Sequence, residues 1–391
     1  MMSKTKVKSR RSLKSLLDAS KNPIVIVKVG SAVVTNKGEG LANNRVITRV
    51  VSQIKNVMDS GISVVLVSSG AIAEGMLKLG WNDRPKEISK LQAAAAVGQV
   101  GLIEAYEKEF RAHNLVTAQV LITHEDFSNR KRYLNSKSTL SALLENDVLV
   151  VVNENDTVAT DEIKVGDNDS LASLIANLVG ADLLIILTDQ EGLFDKDPHF
   201  FQDAVLINSV KASNLKTGTF RNNSNSKFGV GGMRTKVKAS TMAARGGIST
   251  VIANGFTDNI LNKIIEGHEI GTFIISDFPE KNARKTWLSN NLRSCGQLIL
   301  DSGAVEAVQN FGKSILPIGV VDVTGNFDRG DLVLCLDESG REFAKGLINY
   351  SSEECLKIKG FSTREIEFKL GFIQEKELIH RDNLSLTSSS S

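Results

Sequence analysis

Three segments of the chain set glycines directly behind a short apolar run and ahead of a helical pattern. They are Lys28-Val29-Gly30-Ser31, Ser68-Ser69-Gly70-Ala71 and Gly229-Val230-Gly231-Gly232-Met233-Arg234-Thr235-Lys236. Where a strand ends in glycine and a helix begins, the first helical N–H groups lack partners and the helix dipole adds positive potential, so a phosphate or carboxylate is held there. One such segment alone amounts to a tight turn. Three in one stretch, two of them carrying a lysine, argue for an anion site. Neither G-x-x-x-x-G-K-[ST] nor G-x-G-x-x-G occurs, which excludes the two common nucleotide-binding loops. Two acidic clusters supply the opposite charge: Asn153-Glu154-Asn155-Asp156 behind an apolar run, and Lys164-Val165-Gly166-Asp167-Asn168-Asp169. Polar groups at the carboxyl edge of a parallel sheet are where α/β proteins bind ligands. Asp167-Asn168-Asp169 does not continue into the glycine and terminal glutamate of a calcium loop.

The elements that must position these groups alternate. β-Branched runs at 24–29, 64–67, 148–152, 183–187 and 250–253 read as strands, and apolar residues recur at helical spacing over 44–58, 88–110 and 136–145. That alternation predicts an α/β fold, a mainly parallel sheet sandwiched between helices, over residues 23–277. Residues 217–226 read as an irregular polar loop. After about residue 275 the pattern changes to short strands, such as 297–300 and 332–336, separated by Thr324-Gly325-Asn326 and Glu338-Ser339-Gly340 turns. A small, mainly β domain is therefore expected over 296–375, beyond a linker at 278–295, with a C-terminal tail over 376–391 whose serine-rich end, 385–391, reads as disordered.

The 391 residues, 41% of them hydrophobic and 24% charged, describe an ordinary globular chain with room for two domains. No apolar run reaches the roughly 20 residues of a membrane span. Cys295, Cys335 and Cys355 are never at C-x-x-C spacing, so neither a disulfide framework nor a zinc site is legible, and a reducing, cytoplasmic setting is expected. Residues 1–22 hold seven Lys and Arg against Asp18, a net +6. They read as a solvated basic tail, the other readings being a transit peptide or a polyanion-binding arm. His124 beside Glu125-Asp126 reads as a surface loop residue and not as an acid or base.

Taken in order, Lys28-Val-Gly-Ser31, Ser68-Ser-Gly-Ala-Ile-Ala73, Asn153-Glu-Asn-Asp156, Lys164-Val-Gly-Asp-Asn-Asp169, Leu187-Thr-Asp-Gln-Glu-Gly-Leu193 and Gly231-Gly-Met-Arg-Thr-Lys236 resemble the motif series of the amino acid kinase family, and within it the glutamate 5-kinases. Leu316-Pro-Ile-Gly319 and Val323-Thr-Gly-Asn-Phe-Asp-Arg-Gly330 resemble a PUA domain. Val230 stands where Thr is usual and Ser170 where Asn is usual; neither change removes a charge.

The resemblance implies transfer of the γ-phosphoryl group of ATP to the γ-carboxylate of L-glutamate, the first step of proline biosynthesis. Lys28 and Lys236 would flank the transferring group, with Asp167 holding both lysines. Ser69, Asp156 and Asn168 would bind the amino acid. Thr188, Asp189 and residues Val230, Gly231, Gly232, Met233, Arg234, Thr235 and Lys236 would bind ATP together with Lys28. Gly30, Gly70, Asn153, Lys164 and Asp169 would complete the network. Mg2+ is expected with ATP, its protein ligands not legible; proline is expected as a feedback inhibitor, modulated by Asp126 and Glu162, γ-glutamyl phosphate reductase as a partner, and a homo-oligomer as the assembly. Other readings are an acetylglutamate, aspartate or nucleoside monophosphate kinase, or an RNA-binding regulator. RNA binding is not expected, because the basic residues of 296–375 are interspersed with acids. The second domain is expected to be dispensable for chemistry.

Overall fold

The computed structural model describes residues 17–18, 20–35, 45–159, 168–198, 200–215, 232–278 and 294–387. They fall into two compact units, one of Met1–Glu125 with Lys137–Glu280 and one of Asp126–Ser136 with Lys281–Ser391.

In chain order the first stretch gives β1 (Ile24–Val29), α1 (Ser31–Val34), α2 (Arg45–Asp59), β2 (Ser63–Ser68), α3 (Ala71–Lys78), α4 (Ile88–Ala112), β3 (Thr117–Ile122), α5 (His124–Ser128), α6 (Arg130–Glu145) and β4 (Leu149–Glu154). Then follow α7 (Asn168–Val179), β5 (Leu183–Thr188), β6 (Ser209–Lys211), α8 (Met233–Arg245), β7 (Ser249–Asn254), α9 (Ile260–Ile265) and β8 (Thr272–Ile275). Among the described residues the strands form one sheet in the order β3-β4-β2-β1-β5-β7-β8-β6. All pairings are parallel except β7 with β8.

Fully buried valines, leucines and isoleucines fill both faces of β1, β2, β4 and β5, as expected of central parallel strands. Alternate residues divide the faces. Val25, Val27 and Val29 pack with Leu66, Val151 and Ile185 into a core shared with α2 and α4. Strand order reverses at β1, whose neighbours are β2 and β5, and that reversal opens a crevice at the carboxyl edge.

α3 and α4 approach each other closely. A Cβ on Gly75 would lie 1.7 Å from Ala94 O, and one on Gly98 1.8 Å from Ala71 O. Alanine normally stabilises a helix interior relative to glycine by about 1 kcal/mol; here the sign reverses, because backbone cannot move aside as a side chain can. Gly98→Ala is expected to cost about 1–3 kcal/mol, read as a lower midpoint of thermal unfolding. An unchanged midpoint would mean that the two helices separate freely.

The second unit holds β9 (Gly296–Leu300), α10 (Ser302–Phe311), β10 (Val320–Gly325), β11 (Leu332–Asp337), β12 (Glu342–Leu347), α11 (Ser352–Ile358), α12 (Ile366–Leu370) and β13 (Leu384–Leu386), its sheet running β10-β9-β11-β12-β13. Leu298, Val333, Cys335, Phe343, Tyr350 and Ile379 form its core. A smaller cluster joins Leu332 and Leu347 to Leu134, with Tyr133 against them. Arg130 pairs with Asp331 at 3.6 Å, and Gly330, at φ +93°, sits where a Cβ would meet the backbone of Arg130 and Lys131 at 2.8 Å.

Several expectations change. The edge strand β3 is not among the expected strands; Gln119 interrupts its apolar residues, and most of its side chains are partly or fully exposed. α6 begins at Arg130, not 136. The tail expected over 376–391 is built into the second unit in part: Leu378, Ile379, Leu384 and Ser385 are buried and β13 pairs with β12. The second unit also takes in 126–136 from the middle of the chain. A cut near Phe278 would therefore strip Leu134 of Leu332 and Leu347, which bears against simple dispensability of the second domain. The loop at 217–226 and most of the linker at 278–295 lie outside the described residues.

Candidate active site

Lys28 is the fifth residue of β1 and falls on the face opposite Val27 and Val29. The alternation of the strand turns it away from the α2 and α4 core and toward α7 and α8. Its ammonium lies 2.6 Å from Asp169 Oδ1, and the Lys236 ammonium lies 3.1 Å from Asp169 Oδ2. Both lysines are 5% exposed and Asp169 is 2%. Asp169 sits in the first turn of α7, and Lys236 in the first turn of α8. These two helices also touch further along, where Asn177 Nδ2 reaches Met242 O at 3.4 Å. Thr235 Oγ1 donates to Asp169 Oδ2 (2.7 Å) and lies 2.8 Å from Gly232 O, the alternative acceptor for its single proton.

Burial alone would raise the carboxyl pKa of Asp169, but Lys236 and Lys28 outweigh it, aided by hydrogen bonds from Lys28 and Thr235. The acid is held far below the usual carboxylate range and is ionised at neutral pH. Two buried ammonium groups share one carboxylate, so the cluster carries a net positive charge of one. A lysine on a flexible stem is a poor clamp until a carboxylate orients it. The bridging position expected for Asp167 is held by Asp169. Asp167 itself, with Lys164, Val230 and Gly231, lies outside the described residues. With both oxygens engaged by the lysines, Asp169 orients cations and is not a ready metal ligand; no group of three metal-binding side chains occurs among the described residues.

α8 starts at Gly232 without a side-chain cap, so its leading N–H groups are left for an anion. Met233 is half-buried and Arg234 exposed there. α3 likewise starts from an uncapped Gly70, whose φ of +109° only glycine adopts readily. Gly30 differs from expectation: its N–H donates to Leu187 O at 3.0 Å, so it joins β1 to β5 and is not a free phosphate donor. Thr188 ends β5 on the other side of β1, its hydroxyl donating to the exposed Asp189 at 3.1 Å.

At the β4 end, Asn153, Asn168 and Gln99 form a buried junction. Asn168 Nδ2 donates to Ser68 O and to Asn153 Oδ1, both at 2.8 Å, and Asn153 Nδ2 donates to Gln99 Oε1 at 2.6 Å. Both N–H groups of Asn168 are thus engaged with protein, so the expected donation to a substrate carboxylate is not available in this arrangement. Ser69 stands half-buried between this junction and Gly70. Asp156 lies in the turn after β4 and raises the pKa of Arg84 against the lowering by burial. Gln99, Arg84 and the buried Ser68–Tyr106 hydroxyl pair (3.1 Å) were not legible as site residues. Nor was the neighbour of His124, whose Nδ1 stands 3.4 Å from the buried Glu154 carboxylate.

Residues 23–254 match the Amino acid kinase family and residues 296–370 the PUA domain. A glutamate 5-kinase of Nitrosococcus oceani is 52% identical over 92% of this chain and 96% of its own length. One of Hahella chejuensis is 50% identical over 92% and 93%. Among solved structures, a UMP kinase from Bacillus anthracis aligns at 14% identity with a TM-score of 0.44, covering 65% of this chain and 96% of its own.

Proposed function

The chain belongs to the amino acid kinase family and catalyses the ATP-dependent phosphorylation of the γ-carboxylate of L-glutamate, the first step of proline biosynthesis; from that premise we infer how its residues divide the work. A glutamate carboxyl with a pKa of about 4.3 is ionised at neutral pH and needs no general base. The obstacle is repulsion between two anions. Catalysis then rests on fixed cations and N–H donors around the transferring group. The observation that carries this reading is the Lys28–Asp169–Lys236 bridge, two buried ammonium groups oriented by one carboxylate at the carboxyl edge of the sheet.

Lys28 and Lys236 stabilise charge as the glutamate oxygen bonds to the γ-phosphorus and the bridging oxygen leaves with ADP. The start of α8 from Gly232, together with Thr188 and Asp189, holds the nucleotide. Mg2+ would accompany ATP and would supply charge neutralisation at the phosphates when bound. Asp156 pairs with the α-ammonium group of glutamate, Ser69 with its α-carboxylate, and Asn168 with Asn153 sets the wall between them. Proline competes at or beside the amino-acid site, and the protein works as a homo-oligomer, handing its unstable acyl phosphate to γ-glutamyl phosphate reductase. The buried thiols of Cys335 and Cys355 support a reducing compartment, the cytoplasm. No helix among the described residues is long and apolar enough to cross a membrane.

Two measurements test the assignment. ADP release by the purified protein should be supported by glutamate and not by aspartate or N-acetylglutamate; release with acetylglutamate at an equal rate would remove the ammonium contact from the scheme. Asp156→Ala should raise KM for glutamate by about tenfold or more while that for ATP stays nearly constant. An equal rise for both would make Asp156 structural.

A further inference from the structure

Glu154 is the acid of the 153–156 segment to which no role has been given, and its surroundings set it apart. Lys28 on β1 is in register with Val67 on β2, and Val67 with Val152 on β4. Side chains alternate along a strand, so Glu154 lies on the Lys28 face of the sheet, one pleat nearer the carboxyl edge. It is 4% exposed, and neither carboxylate oxygen has a hydrogen-bond partner among the described residues. Across the neighbouring strand it is in register with Ile122. Two residues beyond Ile122, His124 opens α5 and brings Nδ1 to 3.4 Å from Glu154 Oε2. An enclosed carboxylate destabilises a fold unless a partner meets its charge. Glutamine or an apolar residue would fold at least as well, so the acid answers to function and not to packing.

We propose that His124 and Glu154 form a latch that positions the amino-acid site through the turn carrying Asp156. That turn is closed on itself: Val158 N and Ala159 N both donate to Asn155 O at 3.1 Å, and Gln92 Nε2 holds Ala159 O at 3.1 Å. Its root is Asn155, whose N–H donates to Ile122 O at 3.0 Å, directly beside Glu154. Pairing of the Glu154 carboxylate with the His124 ring fixes the start of α5 against the end of β4. The direction in which Asp156 leaves the sheet is then fixed as well. Both are positioning residues that touch no substrate. The latch rests on the reading of this turn as part of the glutamate site.

The test compares steady-state constants for both substrates with thermal midpoints, in the full chain. Glu154→Gln keeps the shape and removes the charge. It should raise KM for glutamate about tenfold, about 1.4 kcal/mol, leave that for ATP within about twofold, and leave the midpoint unchanged or higher. His124→Ala should repeat the rise in KM for glutamate with that for ATP nearly constant, but with a lower midpoint, because it leaves the enclosed Glu154 carboxylate unmet. His124→Arg, a permanent cation whose fork matches a carboxylate, should return KM for glutamate toward that of the parent. An unchanged KM for glutamate in Glu154→Gln overturns the latch, as does an equal rise for both substrates with a lower midpoint. Asp156→Ala separates the two readings. If it raises KM for glutamate and Glu154→Gln does not, the latch alone fails. If only Glu154→Gln does, the latch stands and acts through another residue of the turn.

Discussion

Lys236→Ala is expected to lower kcat by about a hundred- to a thousandfold, with a similar loss in Lys28→Ala and smaller changes in KM for glutamate, as befits contacts that strengthen as charge develops in the transition state. Both ammonium groups are buried and aimed by Asp169, so neither must reorganise when the phosphoryl group moves. In a site of reduced polarity each counts for more than a surface lysine would. Arginine at either position should not rescue, because its planar fork cannot occupy the space of a point charge against Asp169. Turnover within about tenfold of the parent in either alanine variant would remove that lysine from the mechanism.

Asp169→Asn should be as damaging by a different route. The amide fits the space but leaves two buried ammonium groups without their counter-charge, which costs about 3–5 kcal/mol of stability and frees both lysines from their orientation. We expect kcat to fall by about a thousandfold together with a marked drop in thermal midpoint. Retention of kcat within about tenfold would show that the lysines are held without it. The pH dependence follows from the depressed pKa. A carboxyl whose folded value lies below its unfolded one, about 3.9, contributes stability that is present above the unfolded value and lost as pH falls through the folded one. The depression in Asp169 therefore gives a contribution that is constant through the neutral and mildly acidic range. Any limb in the rate profile between about pH 5 and 8 must come from another group.

The central strands and long helices were legible because burial on both faces leaves continuous β-branched runs, and because α4 repeats its apolar residues over many turns. What escaped depends on where pieces meet. Asp169 is one of two acids in a segment of near-identical chemistry, and it meets the lysines from the first turn of α7, whose start at Asn168 the sequence does not mark. Gly30 has the look of a phosphate donor, yet the adjacency of β1 and β5 gives its N–H to Leu187. His124 read as a surface residue because its partner, Glu154, lies thirty positions away and meets it only through the register of β3 on β4. β3 itself lies at an edge with Gln119 among its apolar residues, so it has no unbroken apolar run of the length of β1 or β4.

The cluster of Leu134 with Leu332 and Leu347 also orders events in time. A growing chain lengthens by roughly 5–20 residues per second, and roughly 200 residues separate Leu134 from its partners. For on the order of ten seconds or more after it is made, the stretch from 126 to 136 has no mate. β13, which pairs with β12 at the sheet edge, is made later still. The second unit thus cannot close until β13 is made, and a nascent chain that stalls before β11 will carry a leucine at 134 without Leu332 and Leu347 beside it, open to chaperones and proteases.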